Sequence, residues 1–212
     1  MDFIAQSRRN PFALDPPCAE FVPGYGATTA DFHVVGAHPG VHGGRATGVP
    51  FTDEPWSPAF FDALQHGGIV ESVDLDDGTI DLERTFLSYL HMCDPGESVP
   101  DDEAYAALEP FFDAELRAIT ADVLLPVGAR ATAHVLGHYT ARPAADLDMT
   151  ELHGSELRGS GWLVVPVLDP AEWTADDADR LVSGLRALQQ TDYRRIADLG
   201  RFSPHEDPYF VR

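Results

Sequence analysis

Apolar residues along this chain gather in short continuous runs rather than in strict alternation. Phe32–Val35, Thr85–Met92, Asp122–Val127 and Trp162–Leu168 are each a few residues long and mostly apolar throughout. Runs of that length predict strands covered on both faces, as in a parallel sheet. Between them the pattern changes to helical spacing. Ser57-Pro58 reads as an N-cap with proline in the first turn, opening PAFFDALQHGG, which Gly67-Gly68 stops. In Glu103–Ile119 the apolar positions Ala107, Phe111, Phe112, Leu116 and Ile119 recur at helical intervals, and Pro110 predicts a kink or a split. Gly128 opens a helix through Leu136. Thr174 caps TADDADRLVSGLRALQQ, whose Asp-loaded first turn suits the positive end of the helix dipole. Ile69–Val73 and Thr79–Leu82, around Asp76-Asp77-Gly78, predict a hairpin or a strand and turn.

Strands alternating with helices predict an α/β fold: three layers, α/β/α, around a central mostly parallel sheet. The 212 residues read as a single domain, 1–212, with 1–28 as an irregular arm, 138–160 irregular and 194–212 a loose tail. In such folds ligands sit beyond the carboxyl ends of the strands. Gly36-Ala37-His38-Pro39-Gly40, Cys93-Asp94-Pro95 and Asp169-Pro170-Ala171 all follow predicted strands.

Composition changes the picture in two ways. There are 35 Asp and Glu against 14 basic residues, a formal net charge of −21, and every basic residue is Arg. This predicts a cytoplasmic protein of a salt-rich cytosol, where screening relieves self-repulsion; an acidic face for a basic partner is the rival reading. No run of about 18 apolar residues is present, which predicts no membrane helix, and the N-terminal residues lack a signal-like apolar core. At ordinary salt so acidic a chain repels DNA, but in molar salt short contacts such as Arg–phosphate pairs, backbone amides and stacking carry binding.

The stretch from Asp31 to Thr52 resembles the first active-site motif of the uracil-DNA glycosylase superfamily: a strand, G-x-x-P-G, a Gly-rich loop, then a Phe, here Phe51. The resemblance continues in Val22–Gly26, in Leu87–Cys93 with Asp94-Pro95, in Pro110–Leu116, Ile119–Val123 and Gly128–Ala131, and in Val165–Ala171. It is closest to the iron–sulfur branch. It implies a uracil-DNA glycosylase-like fold and a DNA partner, single-stranded or lesion-containing, whose base is extruded and excised by hydrolysis of its N-glycosidic bond. Protein partners are not indicated.

Several roles are filled by unexpected residues. The resemblance makes Phe51 the base-stacking ring, with Gly36, Ala37, Pro39 and Gly40 as backbone contacts; a Phe that plugs the loop onto the core is the alternative. Tyr89 stands where the family carries Asn, and Asp169 where it carries a second-motif His. Asp169, which otherwise reads as a strand-ending turn, and His38 are the catalytic candidates. His38 with His42 has weak metal-like spacing, and no metal site is expected.

Cys18 and Cys93 are the only cysteines. They read as remnants of a four-cysteine set or as small buried apolar residues, not a disulfide framework, and no intact iron–sulfur cluster or other cofactor is expected. Two other functions compete: an inactive nucleic-acid- or protein-binding module on the same fold, and a small-molecule hydrolase using His38 and Asp169 in hydrogen-bond reach.

Overall fold

The computed structural model describes residues 9–75, 79–140 and 146–200. The first eight residues of the arm, the turn predicted at 76–78, residues 141–145 of the stretch read as irregular and residues 201–212 of the tail lie outside them. The apolar runs form strands. In chain order these are β1 (Tyr25–Gly26), β2 (Phe32–Gly36), β3 (Ser72–Asp74), β4 (Thr79–Asp81), β5 (Thr85–Tyr89), β6 (Val123–Pro126), β7 (Leu157–Arg158) and β8 (Leu163–Val164). Six of them make one sheet in the order β1-β5-β2-β6-β8-β7, while β3 and β4 pair separately. The inner pairs β5–β2, β2–β6 and β6–β8 are parallel, and the edges β1 and β7 are antiparallel.

Among the described residues seven α-helices accompany them: α1 (Pro39–His42), α2 (Ser57–His66), α3 (Asp102–Ile119), α4 (Gly128–Tyr139), α5 (Met149–Leu152), α6 (Ala175–Gln189) and α7 (Tyr193–Gly200). Successive strand residues point to opposite faces, which sorts the core into two halves. Phe32 and Val34, Val123 and Leu125, and Leu163 and Val165 pack with Phe60, Phe61 and Leu64 of α2 and Leu181 and Leu185 of α6. Val35, Leu124 and Val164 pack instead with Phe112 and Leu116 of α3 and Val135 of α4. This is the expected three-layer arrangement.

Several boundaries differ from those the sequence suggested. Trp56, not Ser57, stands at the α2 N-cap; Ser57 is its first residue, and its hydroxyl donates to the Phe51 carbonyl (2.7 Å) and accepts from the Glu54 amide (3.1 Å). α3 runs unbroken through Pro110, because Ala106, whose carbonyl loses a partner there, is exposed to water. β5 ends at Tyr89, although Leu90 and His91 still donate to the Gly36 and Ala37 carbonyls. The hairpin is shorter than the predicted one, since Ile69 and Val70 are buried linkers. Residues 138–160 contain the end of α4, the α5 turn capped by the Asp148 side chain, and β7.

The described parts of the arm and the tail are held. Tyr25–Gly26 pairs with β5, the Val22 amide donates to the Met92 carbonyl, and the Asp94 amide donates to the Glu20 carbonyl. Cys18 and Cys93 are joined in a disulfide across 75 residues, so they are neither separate apolar fillers nor free ligands. Residues 194–200 belong to α7, which Asp31 anchors: its carboxylate accepts from Arg194 (2.7 and 2.8 Å), Tyr193 (3.0 Å) and Arg84 (3.2 Å). The described C-terminal segment is therefore ordered by contacts far away in sequence.

A carboxylic acid is buried among these layers. Glu115 on α3 is fully enclosed; the Gly24 amide and Ser88 hydroxyl face it, but neither of its oxygens has a well-aligned hydrogen bond. Beside it His33 shares a 2.8 Å hydrogen bond with Ser88. Burial pushes the Glu115 carboxyl up to about 8 and the His33 ring down to about 3, so both are neutral in the folded core near pH 7.

Glu115 is thus more easily protonated folded than unfolded. Its contribution to stability is complete below pH 4.5 and is lost as pH rises towards about 8, a change on the order of a few kcal/mol. Glu115→Gln has no proton to lose, so urea unfolding at pH 5 and pH 8.5 should find the variant's stability flatter with pH than the parent's. Reducing the Cys18–Cys93 disulfide should lower stability by about 2–5 kcal/mol in the same assay.

Candidate functional site

The carboxyl ends of β2, β5, β6 and β8 converge on the loop from Ala37 to Asp53. Gly36 sits at the end of β2, where a Cβ would lie 2.7 Å from the Tyr89 ring and 2.8 Å from the His42 ring. Only glycine lets both rings close over the strand end. Pro39 and Gly40 begin α1, and the His38 side chain caps it by accepting from the Gly40 amide (3.1 Å).

Tyr89 fixes the rest of the loop. Its hydroxyl accepts from the Phe51 amide (2.8 Å) and donates to the carbonyls of His42 (2.7 Å) and Gly43 (3.1 Å). The phenol that stands in the family's Asn position therefore serves the loop backbone. Phe51 itself holds a left-handed backbone conformation, φ 68°. That conformation costs a non-glycine residue roughly 1–3 kcal/mol and is tolerated where the surroundings over-determine it. The ring is fully enclosed, with centroids 5.1 Å from Phe60, 5.3 Å from Tyr89 and 5.6 Å from His42.

The histidine beside Asp169 is His42, not His38. The His42 Nδ1 accepts from the Ala37 amide (3.0 Å), so in the neutral ring the proton is on Nε2, which lies 3.5 Å from the Asp169 Oδ2. Asp169 uses its other oxygen to accept from the Ala171 amide (3.0 Å), capping the short helical turn Pro170–Glu172. It is at once a strand-ending cap and the neighbour of the His42 ring. Burial works against its charge, but the approach of the His42 ring and the hydrogen bond from the Ala171 amide prevail and hold the carboxyl below its ordinary range. Gly128, at φ +78°, flanks the gap, and a Cβ there would lie 3.7 Å from both side chains.

His38 lies on the other flank with His91 and Tyr105, its ring 6.5 and 6.4 Å from theirs. Burial, with the neighbouring His42 and His91, depresses it to about 4, so it is a neutral hydrogen-bonding group at pH 7. Outside it, Arg130 covers the Tyr105 ring at 4.0 Å, and Arg45 bonds Asp94 (2.8 Å) and the Gly96 carbonyl (2.7 Å). The site thus gathers Gly36, Ala37, Phe51, Tyr89 and Asp169 around His42, with His38 apart from Asp169. The hydrolase pair of His38 and Asp169 is not formed. Sequence reading weighed His42 only for metal spacing; its place in the loop, directly before Gly43-Gly44, was the available signal.

The cysteines do not fit an iron–sulfur cluster. A cluster needs four protein ligands, thiolates or, in part, imidazoles, whereas the chain has two cysteines. These are bonded to each other and lie among Leu14, Phe21, Met92, Leu108 and Phe111. His38 and His42 each spend Nδ1 on a backbone amide, and among the described residues no group of three or more His, Cys, Asp or Glu is placed to hold a metal.

Removing the Tyr89 hydroxyl leaves buried amide and carbonyl groups unpaired. Tyr89→Phe should cost about 1–3 kcal/mol in urea unfolding; an unchanged midpoint would show that the phenol does not hold the loop.

Sequence comparison identifies the family. The model of the uracil DNA glycosylase superfamily matches residues 23–185, which include every strand from β1 to β8. The type-5 uracil-DNA glycosylase of Thermus thermophilus is 29% identical over 142 residues, 65% of this chain and 64% of that protein. That of Mycobacterium leprae is 28% identical over 120 residues, 55% and 52%. That of Pyrobaculum aerophilum is 30% identical over 126 residues, 57% and 55%. The match spans between half and two-thirds of each relative's length. With the superfamily model matching most of its length, the chain belongs to the uracil DNA glycosylase superfamily.

Proposed function

We propose that this chain recognises a damaged base in DNA, uracil in the first instance, and excises it by hydrolysing the N-glycosidic bond. The observation that carries the reading is the Asp169 carboxylate, held ionised at the carboxyl ends of the strands and still partly open to solvent. The relatives' name, uracil-DNA glycosylase, supports the substrate.

The reaction develops positive charge on the sugar as the base leaves with the bonding electrons. A fixed carboxylate beside that sugar stabilises the cation without reorganising at the moment of reaction. Asp169 then orients the water that bonds to the anomeric carbon and takes up its proton. In the free protein His42 holds Asp169 in place, because it stands between the carboxylate and the rigid Ala37 amide. Neutral His38, with the Gly36–Gly40 backbone, contacts base or sugar-phosphate, and Phe51 is the stacking platform. The acidic surface suits a salt-rich cytosol, where these short contacts operate with long-range repulsion screened.

A binding module without turnover is the second reading, favoured by the enclosure of Phe51. One assay separates them. Single- and double-stranded oligonucleotides carrying uracil, hypoxanthine or no lesion are incubated from low to multimolar KCl, and abasic sites are then cleaved with alkali. The expected result is lesion-dependent cleavage that falls about a hundredfold or more in Asp169→Asn. No cleavage at any salt from folded protein would sink the enzyme and leave the module.

A further inference from the structure

We propose that the imidazole of His42 is an internal stand-in for the nucleobase, covering Phe51 until a base displaces it. The inference rests on the reading of Phe51 as the base platform and adds how that platform is opened. A platform must offer a ring face, yet Phe51 is completely enclosed, and one of the rings enclosing it is His42, at 5.6 Å and 32°. His42 also lies nearly parallel to Tyr89, at 6.4 Å and 21°. A flat heteroaromatic ring between aromatic neighbours is the arrangement a bound base would adopt.

The polar contacts follow the same logic. Nδ1 accepts from the Ala37 amide, while Nε2 is buried without a well-made hydrogen bond, 3.5 Å from the Asp169 carboxylate. An acceptor facing an amide, next to an N–H facing a carboxylate, is also what the lactam edge of uracil or hypoxanthine presents. A base taking the seat would satisfy Ala37 and make the bond to Asp169 that His42 leaves half-made. The imidazole is fully enclosed, but the α1 turn that carries it is not, since Val41 beside it is 42% exposed.

A side chain that occupies a seat weakens its ligand's apparent affinity by the fraction of time the seat is filled. Calorimetric titration of free uracil, hypoxanthine and 1,3-dimethyluracil into the parent protein, His42→Ala and His42→Ala/Phe51→Ala tests this, with folding checked by circular dichroism. His42→Ala should bind uracil and hypoxanthine about tenfold or more tightly than the parent. The gain should vanish in the double variant, and dimethyluracil, which lacks the N–H, should show none. Uracil bound no more tightly by folded His42→Ala, or a gain that survives loss of Phe51, overturns the proposal.

If His42→Ala does not fold, the ring-proton resonances of His42 in the parent decide. They should move towards those of a solvated imidazole at saturating uracil, and resonances that stay put would be fatal. Because binding is read without turnover, the two readings separate. A protein that excises nothing but passes keeps the seat and loses the enzyme; one that excises uracil and fails keeps the enzyme and loses the stand-in.

Discussion

The Tyr89 hydroxyl is the point on which the site depends. β5 and β2 run parallel in register, so Tyr89 and Gly36 end side by side. From there one phenol reaches the amide of Phe51 and the carbonyls of His42 and Gly43, joining both ends of the Gly-rich loop to the sheet. An oxygen buried in an apolar layer must be paired or pay a desolvation penalty, and this one is paired three times. The left-handed turn at Phe51 and the approach of His42 to Ala37 follow from that anchor.

The two ends of the sheet are built by different physics. At the amino ends Asp31 collects Arg84, Arg194 and Tyr193 in an ionic cluster that fastens α7. At the carboxyl ends the contacts around His42 are mainly neutral: backbone amides, a phenol and stacked rings, with Asp169 beside them and the Arg45–Asp94 pair on the outer flank. Site geometry is thereby little exposed to ionic strength, a useful property in a chain whose surface carries so much negative charge.

What was legible in the sequence was what local chemistry fixes. FHVV and DVLLPV read as two-sided buried strands because both faces of β2 and β6 are covered. The Thr174 start was visible because a capping box with Asp177 is written within four residues. What was illegible was set by partners distant in sequence. Residues 194–200 looked like loose tail because their anchor is Asp31. The cysteines looked like leftovers because nothing near either one announces the other. His42 drew attention only for its spacing from His38, since Asp169 meets it only once β8 lies beside β6. Tyr89 was seen as a departure from a motif, whereas its role belongs to the loop opposite.

The strand order also bears on how the chain is made. β2 is central, but both of its neighbours, β5 and β6, are later in sequence. On the ribosome FHVVG emerges first and remains an unpaired apolar edge until Thr85–Tyr89 has been synthesised. An edge of that kind is a template for association between nascent chains. The dense acidic charge that follows it then acts as a solubility guard during synthesis, before any of it serves the finished surface.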